Sequence, residues 1–254
     1  MKLGLPLLNP YLEREADFHH GVNFAVAGAT AVNPWFWVSQ SIQMPLANIS
    51  LDVQLDWFKA HLSSTCFSKF ECGRMLKKAL FLVGEIGGND FNYALLRGKS
   101  TEEVTKYVPR VVQTIKDAGR QLIEIGAVHL VIPGNFPIGC IPVYLTTFQS
   151  KDPASYDENK CLKDFNEFAM LHNDHLQVAI KELREEFPNA LIAYADYYNA
   201  LLEIITHAEE KGVRTCSNPE RYVNWDGVHM TQAAHEHMAT QVIFKLAREW
   251  GSDA

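Results

Sequence analysis

The 254 residues predict an α/β protein with a parallel sheet covered by helices on both faces. Three observations carry this. Short apolar or β-branched runs recur along the chain, longer amphipathic stretches separate them, and glycine-rich polar clusters follow the runs.

Four runs have the character of buried strands: Val22–Val26, Ala79–Val83, Val128–Ile132 and Leu191–Tyr194. The first helix between them is amphipathic from Leu51 to Phe58. In the next, Val104, Tyr107, Val108, Val111, Val112, Ile115, Leu122 and Ile125 recur at three- and four-residue spacing, with Thr101 as a cap followed by acids. Phe165, Phe168, Leu171, Leu176 and Ile180 belong to a long helix that ends before Pro188. A final helix starts at Thr231 and carries Met238, Val242, Phe244 and Leu246. No repeat, low-complexity tract or linker composition interrupts the pattern, so residues 1–254 are taken as a single domain. Active sites in such sheets lie beyond the carboxyl ends of the strands. The polar clusters fall there: Gly28, Gly84 to Asp90, Pro133-Gly134-Asn135 and Asp196.

Composition excludes several classes. A net charge of −7 argues against a nucleic-acid partner, because phosphates require a basic face. No apolar run approaches the ~20 residues that span a bilayer. The opening MKLGLPLLNPYLERE is broken by two prolines and lacks a small-residue cleavage site, so it has the character of mature sequence. On that basis alone the chain is cytoplasmic if translated as written. Asn48-Ile49-Ser50 is a glycosylation sequon, of consequence only in the secretory pathway. The five cysteines contain no CxxC pair, which disfavours a zinc ribbon or redox site. His172, Asp174 and His175, and His235-Glu236-His237, lack the HExxH spacing and are expected on solvated helix faces, so neither a metal nor another cofactor is assigned.

Three segments could carry chemistry. Asp226 precedes His229 by three residues across Gly227, a spacing that lets the carboxylate reach Nδ1 and leaves Nε2 to accept a proton. The same spacing also suits an Asp226 that caps the final helix. In Gly84–Asp90, Asn89 could aim its amide at a developing oxyanion. Gly-Gly-Asn-Asp is equally a turn with Asp90 as N-cap. Around Gly28, small residues could present a backbone N–H to a substrate, or simply form a tight junction.

Taken together, the segments resemble the plant-type GDSL esterase/lipases of the SGNH hydrolase superfamily. GVNFAVAGATA (21–31) resembles the second block of that family, FLVGEIGGNDFNYAL (81–95) the third and WDGVHMTQAAH (225–235) the last. LGLPLLNPYL, NFPIGCIPVYLT and CLKDFNEFAMLHNDHL are also similar to family sequence, so the resemblance covers nearly the whole chain. It implies a three-layer α/β/α, flavodoxin-like sheet and metal-free hydrolysis of small-molecule or lipid esters by a protein of secreted type. It also implies an oxyanion hole from the Gly28 N–H and the Asn89 side chain, with His229 as base and Asp226 as its orienting acid. Cys66/Cys72 and Cys140/Cys161 resemble family disulfides, which leaves Cys216 unpaired. The family's nucleophile is the serine of a Gly-Asp-Ser block at the end of the first strand, and no Gly-Asp-Ser occurs in these residues. The resemblance therefore implies a domain lacking its first strand, its nucleophile and its signal peptide. A loop before SNPERYVNWDGVH is also shorter than in the family. Two functions follow: an ester hydrolase by descent, or an inactive relative that binds a partner or an ester.

Overall fold

The computed structural model describes residues 6–43, 49–209 and 222–251. The Asn48 sequon position, Cys216 and the segment carrying the shortened loop lie outside the described residues. The chain forms two compact units, one built on residues 3–133 and 175–194 and the other on 134–174 and 195–254.

In the first unit, helices α1 (Pro34–Ser39), α2 (Leu51–Thr65) and α3 (Lys69–Leu76) lead into strand β1 (Leu80–Leu82). Helices α4 (Gly88–Leu95), α5 (Thr101–Thr105) and α6 (Val108–Ile125) follow, then β2 (His129–Pro133). After the long α8 (Lys163–Glu186), β3 (Leu191–Ala195) completes a three-stranded sheet of order β1-β2-β3. The β1–β2 ladder is parallel, with Leu80 opposite His129 and Leu82 opposite Val131. β3 runs the same way beside β2: Leu191 N–H donates to Val128 O at one end and Gly134 N–H to Ala195 O at the other. The architecture is the expected α/β class with a parallel sheet and flanking helices.

β2 is buried because apolar residues occupy both its faces: Leu130, Val131 and Ile132 are at most 2% exposed. β1 is an edge strand, and its Leu80 and Leu82 are 46% and 59% exposed. Helix α6 approaches the sheet through Gly119. A Cβ there would lie 3.2 Å from Leu183 Cδ1 and 3.7 Å from Ile132 Cδ1, so a small residue lets the helix pack closely on these side chains. Above that contact Arg120 pairs with both carboxylate oxygens of Glu186, at 2.8 and 2.9 Å, fixing α6 against α8.

Three expectations are corrected. Val22–Val26 is not a strand; only Asn23 forms an isolated parallel bridge, to Pro10. The Asn23 side chain accepts the Ala25 N–H at 2.9 Å, a local turn that competes with ladder pairing. The helix expected across residues 104–125 is two helices, α5 and α6, with Pro109 in the first turn of α6, where its missing N–H costs nothing. Its cap is Ser100 rather than Thr101: Ser100 Oγ accepts the Glu103 N–H, and the Glu103 carboxylate accepts the Ser100 N–H.

The second unit contains α7 (Pro142–Thr147), the beginning of α8, α9 (Tyr197–Glu209) and α10 (Gln232–Gly251). Ala200, Leu201 and Met238 form its apolar centre, with Phe136, Tyr197 and Ile204 packed around them. Buried asparagines of α8 hold the loop after β2. Asn173 accepts the Asn135 N–H at 2.7 Å and donates to its carbonyl at 3.0 Å, while Asn166 accepts the Gly139 N–H at 2.9 Å. Disulfides join Cys66 to Cys72 and Cys140 to Cys161.

Candidate active site

The segment from Asn224 to Met230 is a closed loop in the second unit. Asn224 and Met230 form an antiparallel bridge, and the Trp225 N–H donates to His229 O at 2.8 Å. Gly227 turns the chain at φ +89°, a conformation that favours glycine. Asp226 fills the loop. Its Oδ1 accepts the backbone N–H groups of His229 at 2.7 Å and Val228 at 2.9 Å, and its Oδ2 lies 2.6 Å from His229 Nδ1.

These contacts hold the Asp226 carboxyl well below the usual carboxylate range. The largest cause is the His229 backbone N–H, followed by the ring and the Val228 N–H. An anionic carboxylate only accepts hydrogen bonds, so Nδ1 must carry the proton and Nε2 of the neutral ring becomes the basic atom. Both side chains are open to solvent, 71% exposed for His229 and 44% for Asp226. Asp226 does not cap the final helix. That role belongs to Thr231, whose hydroxyl accepts the Ala234 N–H at 3.2 Å and donates to Tyr222 O at 2.6 Å.

In the first unit, α4 is preceded by its N-cap Gly87, at φ +105°, and its first two turns reach the segment that starts at Gly28. Asn89 Nδ2 donates to Ala29 O at 3.0 Å and Tyr93 Oη to Gly28 O at 2.9 Å. The buried Asp90 accepts the N–H groups of Ala31 and Val32 and the indole N–H of Trp37, at 2.7, 2.9 and 3.2 Å. Asp90 is therefore a cross-chain anchor and not the helix N-cap the sequence suggested. Gly28 lies within a turn, closed by Ala29 N–H to Val26 O at 3.0 Å, and not after a strand end. Its φ is +81°, and an added Cβ would lie 2.9 Å from Tyr93 Oη. The Gly28 N–H has no hydrogen-bond partner among the described residues, and the Asn89 amide carries a second N–H beyond the one given to Ala29.

Asp90 and Tyr93 are the residues that sequence reasoning missed. Their partners lie 53 to 65 positions away, so no local spacing announces them. Among the described residues no group of three or more His, Cys, Asp or Glu is placed to hold a metal ion. Asp174, His175 and the 235–237 cluster are exposed as expected, but His172 is buried on the inner face of α8, with Nδ1 3.3 Å from Asn173 Oδ1.

An acid-oriented histidine and a parallel α/β sheet define a hydrolase-type scaffold. The chain belongs to the GDSL-like lipase/acylhydrolase family, whose model matches residues 4–242. It is 44% identical to a GDSL esterase/lipase of Arabidopsis thaliana, across 92% of this chain and 79% of that protein. It is 38% identical to acetylajmalan esterase 2 of Rauvolfia serpentina, across 97% of this chain and 75% of the relative. A further Arabidopsis thaliana GDSL esterase/lipase is 40% identical, over 94% of this chain and 74% of its own length. No helix of the described residues is long and apolar enough to cross a membrane.

Proposed function

We propose that this chain carries the acid–base and oxyanion-binding groups of a carboxylic ester hydrolase, acting on a small-molecule or lipid ester. The observation that carries the reading is the 2.6 Å contact between Asp226 Oδ2 and His229 Nδ1, which directs Nε2 outward as a base. In this reading Nε2 takes the proton of an attacking hydroxyl and returns it to the departing alkoxide. The Gly28 N–H and the second Asn89 N–H donate to the carbonyl oxygen as charge develops on it. Names of the similar proteins support an ester substrate.

The nucleophile is not among these residues. Exposed Leu80 and Leu82 on edge strand β1 support a reading in which a further strand, bearing Gly-Asp-Ser, completes the sheet. Two disulfides and the family type support an oxidising, extracellular setting. The absence of Gly-Asp-Ser equally favours a second reading, a catalytically inactive relative that binds an ester or a regulatory partner.

The test is to append an amino-terminal strand segment ending in Gly-Asp-Ser and assay p-nitrophenyl butyrate. The esterase reading predicts turnover that disappears with His229→Ala. A folded, extended protein without turnover on short-chain esters supports the binding reading instead.

A further inference from the structure

Residues 67–78 combine exposed aromatic side chains with a run of cations. Phe67 and Phe70, three positions apart, are 87% and 81% exposed, and Met75 of the same segment is 38% exposed. Large aromatic side chains ordinarily bury most of their 150–250 Å². These two cannot fold back. The Cys66–Cys72 disulfide closes the loop that carries them. Ser68 caps α3 by accepting the Glu71 N–H at 3.1 Å, and the Phe67 N–H donates to the Glu71 carboxylate at 3.2 Å. Only Leu76 of this helix turns inward.

The same stretch is basic. Lys69, Arg74, Lys77 and Lys78 are all exposed, and none forms an ion pair among the described residues. Glu71 is the sole acid, so the segment carries four positive charges against one negative in a chain whose net charge is −7. Solvation alone does not require unpaired cations flanking two bare phenyl rings. Aromatic side chains ringed by Lys and Arg suit the boundary between lipid headgroups and acyl chains, where the rings enter the apolar layer and the cations meet phosphate and carboxylate.

We infer that the α3 surface formed by Phe67, Phe70, Lys69, Arg74, Lys77 and Lys78 docks the protein on an anionic lipid bilayer. The surface, with four cations against one acid, is complementary in charge to such a bilayer. The inference stands apart from the esterase reading, since it needs neither His229 nor a nucleophile.

The test is co-sedimentation of the full chain with unilamellar vesicles of phosphatidylcholine alone, or containing roughly 30 mol% phosphatidylserine. Expected is binding to the phosphatidylserine vesicles, little binding to phosphatidylcholine alone, and release as salt rises from about 0.05 to about 0.5 M. Phe67→Ser with Phe70→Ser should weaken partitioning on the order of a hundredfold. Each cation replaced by Gln should weaken it roughly fivefold at low salt. Lys181→Gln on the exposed face of α8 should change nothing. Far-ultraviolet circular dichroism checks that each variant is folded. No binding to either vesicle, equal binding to both, or binding unaffected by the Phe and Lys substitutions overturns the inference. So does a self-associated species that the Phe variant dissolves in the absence of vesicle binding.

Discussion

The carboxylate of Asp90 accepts the backbone N–H of Ala31 at 2.7 Å and is shielded from solvent. Burial pushes its pKa up to about 7, against the opposing pull of the Val32, Ala31 and Trp37 donors. A carboxyl whose pKa is raised on folding binds its proton more tightly in the native state. Its contribution is therefore fully present below the unfolded value near 3.8 and is lost as pH rises through about 7.

Denaturant unfolding of the wild type and of Asp90→Asn across pH 4–8 isolates this linkage. The stability difference between the two should shift against the wild type by a few kcal/mol over that interval. Parallel curves for the two proteins would show that Asp90 has no raised native pKa.

Gly28 and Tyr93 should couple energetically. Gly28→Ala places a Cβ at a φ of +81° and within 2.9 Å of Tyr93 Oη, and should cost about 1–3 kcal/mol. Tyr93→Phe removes the hydroxyl and its hydrogen bond to Gly28 O, at about 1 kcal/mol. In the double variant the steric part of the Gly28→Ala cost is relieved, so the two losses should sum to less than their separate values. Additive losses would contradict the contact.

Gly139→Ala tests the second unit. An added Cβ would collide with the Leu162 carbonyl and lie 2.8 Å from Asn166 Oδ1, which accepts the Gly139 N–H. Backbone cannot yield as a flexible side-chain tip can, so a loss of about 3 kcal/mol or more in chemical unfolding is expected. A variant as stable as wild type would refute this packing.

The disulfides predict a thiol count. Protein matured in an oxidising compartment and denatured without reductant should show one reactive thiol, at Cys216. Peptide maps should recover the Cys66–Cys72 and Cys140–Cys161 pairs. Recovery of Cys216 bridged to any of the other four would contradict the assignment. Loss of the longer Cys140–Cys161 loop should cost about 3 kcal/mol.

What the sequence reveals depends on how local the determining interaction is. Three of the four expected strands form, each from a short apolar run, and β2 among them is buried on both faces as such a run requires. Val22–Val26 has the same character, yet the Asn23 side chain turns the backbone at Ala25, and among the described residues only Pro10 bridges to it. Ser100 and Thr101 are both hydroxyl residues. The Glu three positions after Ser100 completes the capping box and decides between them. Asp226 and His229 are legible because their geometry is contained in four residues. Asp90 could not be read as an anchor, since its meaning lies in donors some sixty positions earlier.

The most direct test of the central claim is esterase activity of the 254-residue chain itself beside its His229→Ala variant. In the proposed reading His229, held by Asp226 at 2.6 Å, is a base, and no Gly-Asp-Ser serine occurs in these residues to be its partner. Serine hydrolases stripped of one triad member retain ~10³–10⁴-fold acceleration over water, whereas intact enzymes typically exceed ~10⁶-fold. The account predicts that both proteins hydrolyse p-nitrophenyl butyrate at the same residual rate, close to background. Vigorous turnover by the unextended chain that His229→Ala abolishes would contradict it, and would identify one of the existing serines as the nucleophile.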